Sequence, residues 1–129
     1  MVQYKQPNNY LSPIPGTVYG ELVVVGGVQI RGIFVNQADA SADLPNCPAG
    51  SSVQWGTICQ PMEGIKYPNF KQGSTVLCTL PGSQFAVLNR ADSAMVALFP
   101  SLALANTFVA GQLLFGKHYN AVTGTLVFS

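Results

Sequence analysis

At 129 residues the chain has the length of one domain, and its 48% of hydrophobic residues suits a packed core and excludes wholesale disorder. Asp, Glu, Lys and Arg together make up only 9% of it, where an ordinary soluble domain has roughly 25%, so a monomer surface of roughly 6,600 Å² is left almost bare of charge. The formal net charge of +1 excludes the clustered cations that nucleic-acid phosphates demand.

The start, Met1-Val2-Gln3-Tyr4-Lys5, lacks the positive end and apolar run of a secretory signal. The longest apolar stretch, around Leu22 to Val25, falls far short of the roughly 20 residues of a membrane-spanning helix. Both features lead to the expectation of a protein made and kept in a cytosol, with Cys47, Cys59 and Cys78 reduced.

Residues 1–15 combine Gln3, Gln6, Asn8 and Asn9 with Tyr4, Tyr10 and the prolines Pro7, Pro13 and Pro15. This mix resists helix and offers a sheet few donors, which predicts an extended arm outside a single β-domain of residues 16–129. The two tyrosines are flat amphipathic anchors suited to lying on a neighbour.

From Gly16 onward, Val18, Gly20, Leu22 and Val24 alternate with Thr17, Tyr19, Glu21 and Val23, the period of a strand. Gly26-Gly27 then predicts a hairpin into a second strand over 28–34, with Arg31 pointing outward. Residues 36–52, aperiodic and carrying Asp39 and Asp43, read as a long exposed loop.

Further strands are predicted at Val53–Ile58, which carries Trp55, at Gly64–Tyr67 and at Thr75–Leu80. Pro81-Gly82 fits the central positions of a type II turn, with Phe85–Leu88 as the returning strand. For residues 91–106 a short helix over 94–98, stopped by Pro100, competes with extended structure placing Leu102 and Leu104 on one face. The extended reading is preferred because every neighbouring segment is extended. A strand over 112–119, a turn over 120–124 and a last strand over 125–128 complete an all-β fold. It is a small barrel or sandwich of about eight short strands.

Candidate chemistry is sparse. His118 is the single histidine, and the predicted strand puts it on the face opposite Leu113, Phe115 and Tyr119, as a surface or interface residue. Cys47, Cys59, Cys78 and His118 could supply four zinc ligands, but no pair has the short spacing by which one loop grips a metal. Cys78 is expected to serve as a small core hydrophobe. The carboxylates Glu21, Asp39, Asp43, Glu63 and Asp92 are scattered, with solvation as their expected use. Gly26-Gly27 precedes a strand rather than a helix and so lacks a phosphate-binding dipole end. These patterns predict no enzyme, no cofactor and no metal.

What the composition favours is assembly, because burying Val or Tyr gains roughly 25 cal/mol per Å² whereas burying Lys or Glu costs. Gln3, Tyr4, Tyr10, Pro13, Trp55, Tyr67 and Phe70 are the candidate interface residues. A rival reading uses Trp55, Tyr67 and Phe70 as a stacking platform for carbohydrate. Another makes the chain a ring-forming tail tube or tail-end part.

The layout resembles the small decoration or structural cement proteins of tailed bacteriophages. The pieces are Pro15-Gly16 entering the first strand, the polar loop around Asp39 to Gly50, and Gly73-Ser74-Thr75-Val76 leading to Phe85-Ala86-Val87-Leu88. The last is Gly111 to Tyr119 returning through Asn120-Ala121-Val122-Thr123-Gly124. Gln112 departs from the pattern, since the family tends to carry Asp after that glycine. The resemblance implies a β-module on the outside of a capsid, made in the bacterial host cytoplasm, self-associating as a homodimer or homotrimer. Its partner would be the major capsid protein, with no nucleic acid and no membrane. Residues 1–15 and the 36–52 loop would reach across capsomer seams, so that deleting residues 1–12 lowers occupancy and spares the core.

Overall fold

β-branched alternation does give strands, and they join into one antiparallel sheet. The computed structural model describes residues 2–61, 63–64, 66–81 and 83–128. In chain order the strands are β1 (Val2–Lys5), β2 (Leu11–Pro13), β3 (Val18–Val23), β4 (Gln29–Phe34) and β5 (Ser52–Cys59). There follow β6 (Asn69–Gln72), β7 (Thr75–Thr79), β8 (Ser83–Asn89), β9 (Met95–Phe99) and β10 (Tyr119–Phe128). Their order in the sheet is β2-β1-β10-β8-β9-β4-β3-β5-β6-β7. The sheet curls into a half-barrel, so the fold is all-β as the alternation predicts. Two helices, α1 (Gln37–Asp43) and α2 (Leu102–Leu113), are added to it.

The inside of the curl is a dry core that includes Tyr4, Val18, Leu22, Ile30, Ile58, Phe70, Leu80 and Leu98. The predicted hairpin at Gly26-Gly27 joins β3 to β4, and both glycines take the positive φ that the tight reversal demands. In this hairpin Glu21 faces Gly32 while Leu22 faces Ile30, so Arg31 is the extra residue of a β-bulge. A bulge breaks the two-residue period. Arg31 keeps the side opposite Ile30, where alternation places it beside Glu21, and the bulge brings Gly32 and Phe34 round to that same side.

Residues 1–15 are extended but are no arm. β1 pairs with β10, with Val2 opposite Phe128, and β2 pairs back onto β1. Tyr4 is fully buried, and its hydroxyl donates to the Gln84 carbonyl at 2.8 Å, with the Val122 carbonyl also near at 3.2 Å. A tyrosine at this position gains both core burial and a place for its O–H. Gly124 makes room for it, since a Cβ there would collide with the Tyr4 ring and the Lys5 carbonyl.

Other expectations are corrected in the same way. Residues 36–52 hold α1 and a single 3₁₀ turn at Leu44–Asn46 in place of the predicted loop; most of the segment is exposed as expected, but Ala40 and Asp43 are buried on its inner side. Glu63-Gly64 is a turn and the nearby strand begins only at Asn69. Ile65 of the predicted 64–67 strand and Gly82 of the predicted type II turn lie outside the described residues. β7 and β8 do not pair: β7 is an edge strand, whereas β8 lies between β10 and β9.

The preference for extended structure over 91–106 holds for Met95–Phe99 and fails beyond Pro100. Ser101 caps α2, its Oγ accepting from the Leu104 N–H at 3.2 Å. Gly116, with φ of 76°, closes the helix: its N–H donates to Leu113 O and that of Lys117 to Gln112 O. That is a Schellman end, and it takes up carbonyls that the helix terminus leaves without partners. The strand predicted over 112–119 is therefore helix and turn up to its last residue, and the turn predicted over 120–124 is the middle of β10.

Candidate functional site

Helices α1 and α2 lie on the side of the sheet away from the curl, over a second core that includes Phe34, Ala40, Val87, Phe99, Ala105, Phe108 and Tyr119. Phe34 meets Phe99 and Phe108 edge-on at centroid separations of 5.8 and 5.4 Å, which fixes α2 against the strands. Gly32 has no side chain because a Cβ would strike the Phe99 ring and crowd Glu21 Oε1.

Beside this aromatic group sits a buried ion cluster. Arg31 Nη1 donates to Asp43 Oδ2 at 2.8 Å and to Glu21 Oε1 at 3.3 Å, with Cys47 Sγ at 3.7 Å. Asn46 Nδ2 adds a bond to Asp43 Oδ1 at 2.9 Å. These two ion pairs are the ones present among the described residues. Glu21 is fully buried and its Oε2 has no hydrogen-bond partner. Burial, and then the neighbouring Asp43 carboxyl, pushes Glu21 up to about 8. Burial and the same Glu21 push the Cys47 thiol up to about 11, away from the thiolate a nucleophile requires.

Two carboxyls facing one guanidinium would carry a net negative charge in a largely buried site; one retained proton makes the group neutral. One ligand atom from each of Glu21, Asp43 and Cys47 lies within 4.8 Å of the others, the spacing of a metal site. Arg31 Nη1 stands at bonding distance from all three, so the guanidinium is the cation that this group holds.

An open cleft of about 800 Å³ runs from this cluster along α2. Arg31, Asp43 and Asn46 form its polar end, Phe108, Leu114 and Phe115 its apolar wall, and Lys117 its rim. Its volume is within the range of small-molecule sites.

The residues singled out from sequence are scattered. Tyr4 and Phe70 are fully buried in the inner core and are withdrawn as interface residues. Their aromatic bulk serves the core, and loss of Phe70 also dismantles the three-ring carbohydrate platform. Tyr10, Trp55 and Tyr67 are exposed at 45%, 48% and 42%, Pro13 is exposed and Gln3 part-buried. Cys78 lies in the inner core, where burial pushes its thiol up to about 11, as a core hydrophobe should behave. Cys59 is part-buried on β5 and His118 is exposed after α2, so neither joins Cys47. Glu21 and Asp43 are not solvated carboxylates. Sequence reasoning missed them because the helix over 37–43, which covers this face, leaves no periodic trace.

No protein-family model, curated protein or solved structure matches the chain.

Proposed function

We propose that this chain is a structural virion protein, a β-module that docks on the outside of a phage capsid and stabilises contacts between major capsid subunits. The observation that carries the reading is the outer face of α2. Leu102, Ala103, Asn106, Ala110 and Leu113 form its exposed stripe, and from Ser93 to Gly116 the chain has no charged side chain. A helix whose outer face is solvated normally carries charges there. Leu102 and Leu113 are 42% and 55% exposed, and covering each fully is worth roughly 1.5–3 kcal/mol at most. The uncharged tip of the β3–β4 hairpin supports the same reading, with Val24, Val25 and Val28 each more than half exposed. Many copies on one shell turn such modest contacts into firm attachment.

The test is the oligomeric state of the purified chain and its presence on virions. Sedimentation equilibrium should give a dimer or trimer. Ala103→Glu with Leu113→Lys should give a monomer of unchanged or higher melting temperature, because each charge suits its end of the helix dipole. A wild-type chain that stays monomeric at high micromolar concentration, and is absent from purified phage particles of its source, overturns the proposal.

A further inference from the structure

The cleft between α1 and α2 contains a vacancy that the fold does not require. Gly111 lies inside α2 and lines the cleft, although glycine is the poorest helix former after proline. A Cβ at Gly111 would meet nothing within 4 Å, and its φ is not positive, so neither packing nor backbone conformation calls for glycine there. Facing the same space, Leu114 and Phe115 are 86% and 76% exposed. They are the most exposed large apolar side chains among the described residues.

Apart from the Arg31–Asp43 ion pair, the cleft is lined by one charged side chain among the described residues, Lys117. Asp43 is neutralised by Arg31 at 2.8 Å and by the amide of Asn46, so its charge is already matched. Lys117, at the rim, forms no ion pair among the described residues. An apolar wall beside a single unmatched cation is complementary to a molecule with an apolar body and one negative charge. We infer that this cleft binds a small amphipathic monocarboxylate, its apolar body lying over Gly111 against Phe108, Leu114 and Phe115 and its carboxylate meeting the Lys117 ammonium. The site lies on the flank of α2, distinct from the outer stripe of Leu102, Ala103, Asn106, Ala110 and Leu113, and does not depend on the assembly reading.

The experiment titrates the ¹⁵N-labelled full chain with octanoate, octanol and octylammonium at neutral pH. Octanoate should shift the amides of Gly111, Gln112 and Lys117 saturably, and octylammonium should bind about tenfold more weakly. Lys117→Glu should reverse that order, and Gly111→Leu should abolish octanoate binding at an unchanged melting temperature. Absence of saturable octanoate shifts in the wild type, or equal binding of octylammonium, overturns the inference. So does a folded Gly111→Leu chain with wild-type octanoate affinity. Should that variant fail to fold, the order of the two ligands on Lys117→Glu decides alone, since Lys117 is exposed.

Discussion

The two faces of one sheet are stabilised by different means. Inside the curl, side chains from the strands and from adjoining residues such as Ile14 and Leu80 supply an aliphatic and aromatic core with no helix, and the Tyr4 hydroxyl finds the Gln84 carbonyl. On the other side, two helices close over phenyl rings and over a carboxyl–guanidinium cluster whose Glu21 oxygen is left without a partner. The first face obtains its stability from burial; the second spends part of its own on desolvated charge. A fold whose stability rests on one face can leave the other to recognition.

The largest effect should come from removing residues 2–13. Truncation strips Tyr4 from the inner core and bares β10, so the chain should lose its cooperative thermal transition, in contrast to the harmless deletion expected of an arm. A truncated chain that melts like the full one would show that the inner face does not depend on β1. Next, Phe70→Ala on the inner face and Arg31→Met on the other should each cost about 3–5 kcal/mol in urea unfolding, for unlike reasons. The first leaves a cavity; the second leaves two buried carboxyls without their cation. A nearly neutral Arg31→Met would mean that the cluster is solvated after all.

The pH dependence separates the faces further. Glu21 rises from 4.5 to about 8 on folding, so the folded chain holds a proton that the unfolded chain has released. Stability from this group is complete below about 4.5, falls as the unfolded state ionises, and is lost above about 8. Urea melts at pH 5, 6.5 and 8.5 should show that decline, and Glu21→Gln should flatten it. An unaltered slope in the variant would assign the decline elsewhere. A smaller effect is expected at Gly124→Ala, about 1–3 kcal/mol, from crowding the Tyr4 ring and the backbone of β1.

What could be read from the sequence follows the same division. Alternation at Val18, Gly20 and Leu22 and the glycine pair at 26–27 give the β3–β4 hairpin, and residues such as Val53 to Ile58 and Thr75 to Thr79 fall where period two puts them. The helix-covered face was hidden for three physical reasons. Apolar residues surround α2 on every side, so it shows no amphipathic stripe. Its real signals are the Ser101 cap and the Gly116 end, both local and both outweighed by strand-forming neighbours. The helix over 37–43, which no periodicity announces, covers the face on which Arg31 and Glu21 stand, which is why a surface arginine became the centre of a buried cluster. Residues 2–13 were hidden by distance, since nothing near Tyr4 announces Gln84 or Val122 as its partners.

The pairing of β1 with β10 also sets the timetable of folding. During translation, the segment holding Tyr4 leaves the ribosome long before the strand that must receive it, and its aromatic and tyrosyl surface stays wet throughout that interval. A topology closed by its most distant segments folds slowly and presents sticky intermediates. Expression yield should therefore respond to chaperone supply more than to the stability of the finished protein, and a circular permutant joining β10 directly to β1 should shorten the wait.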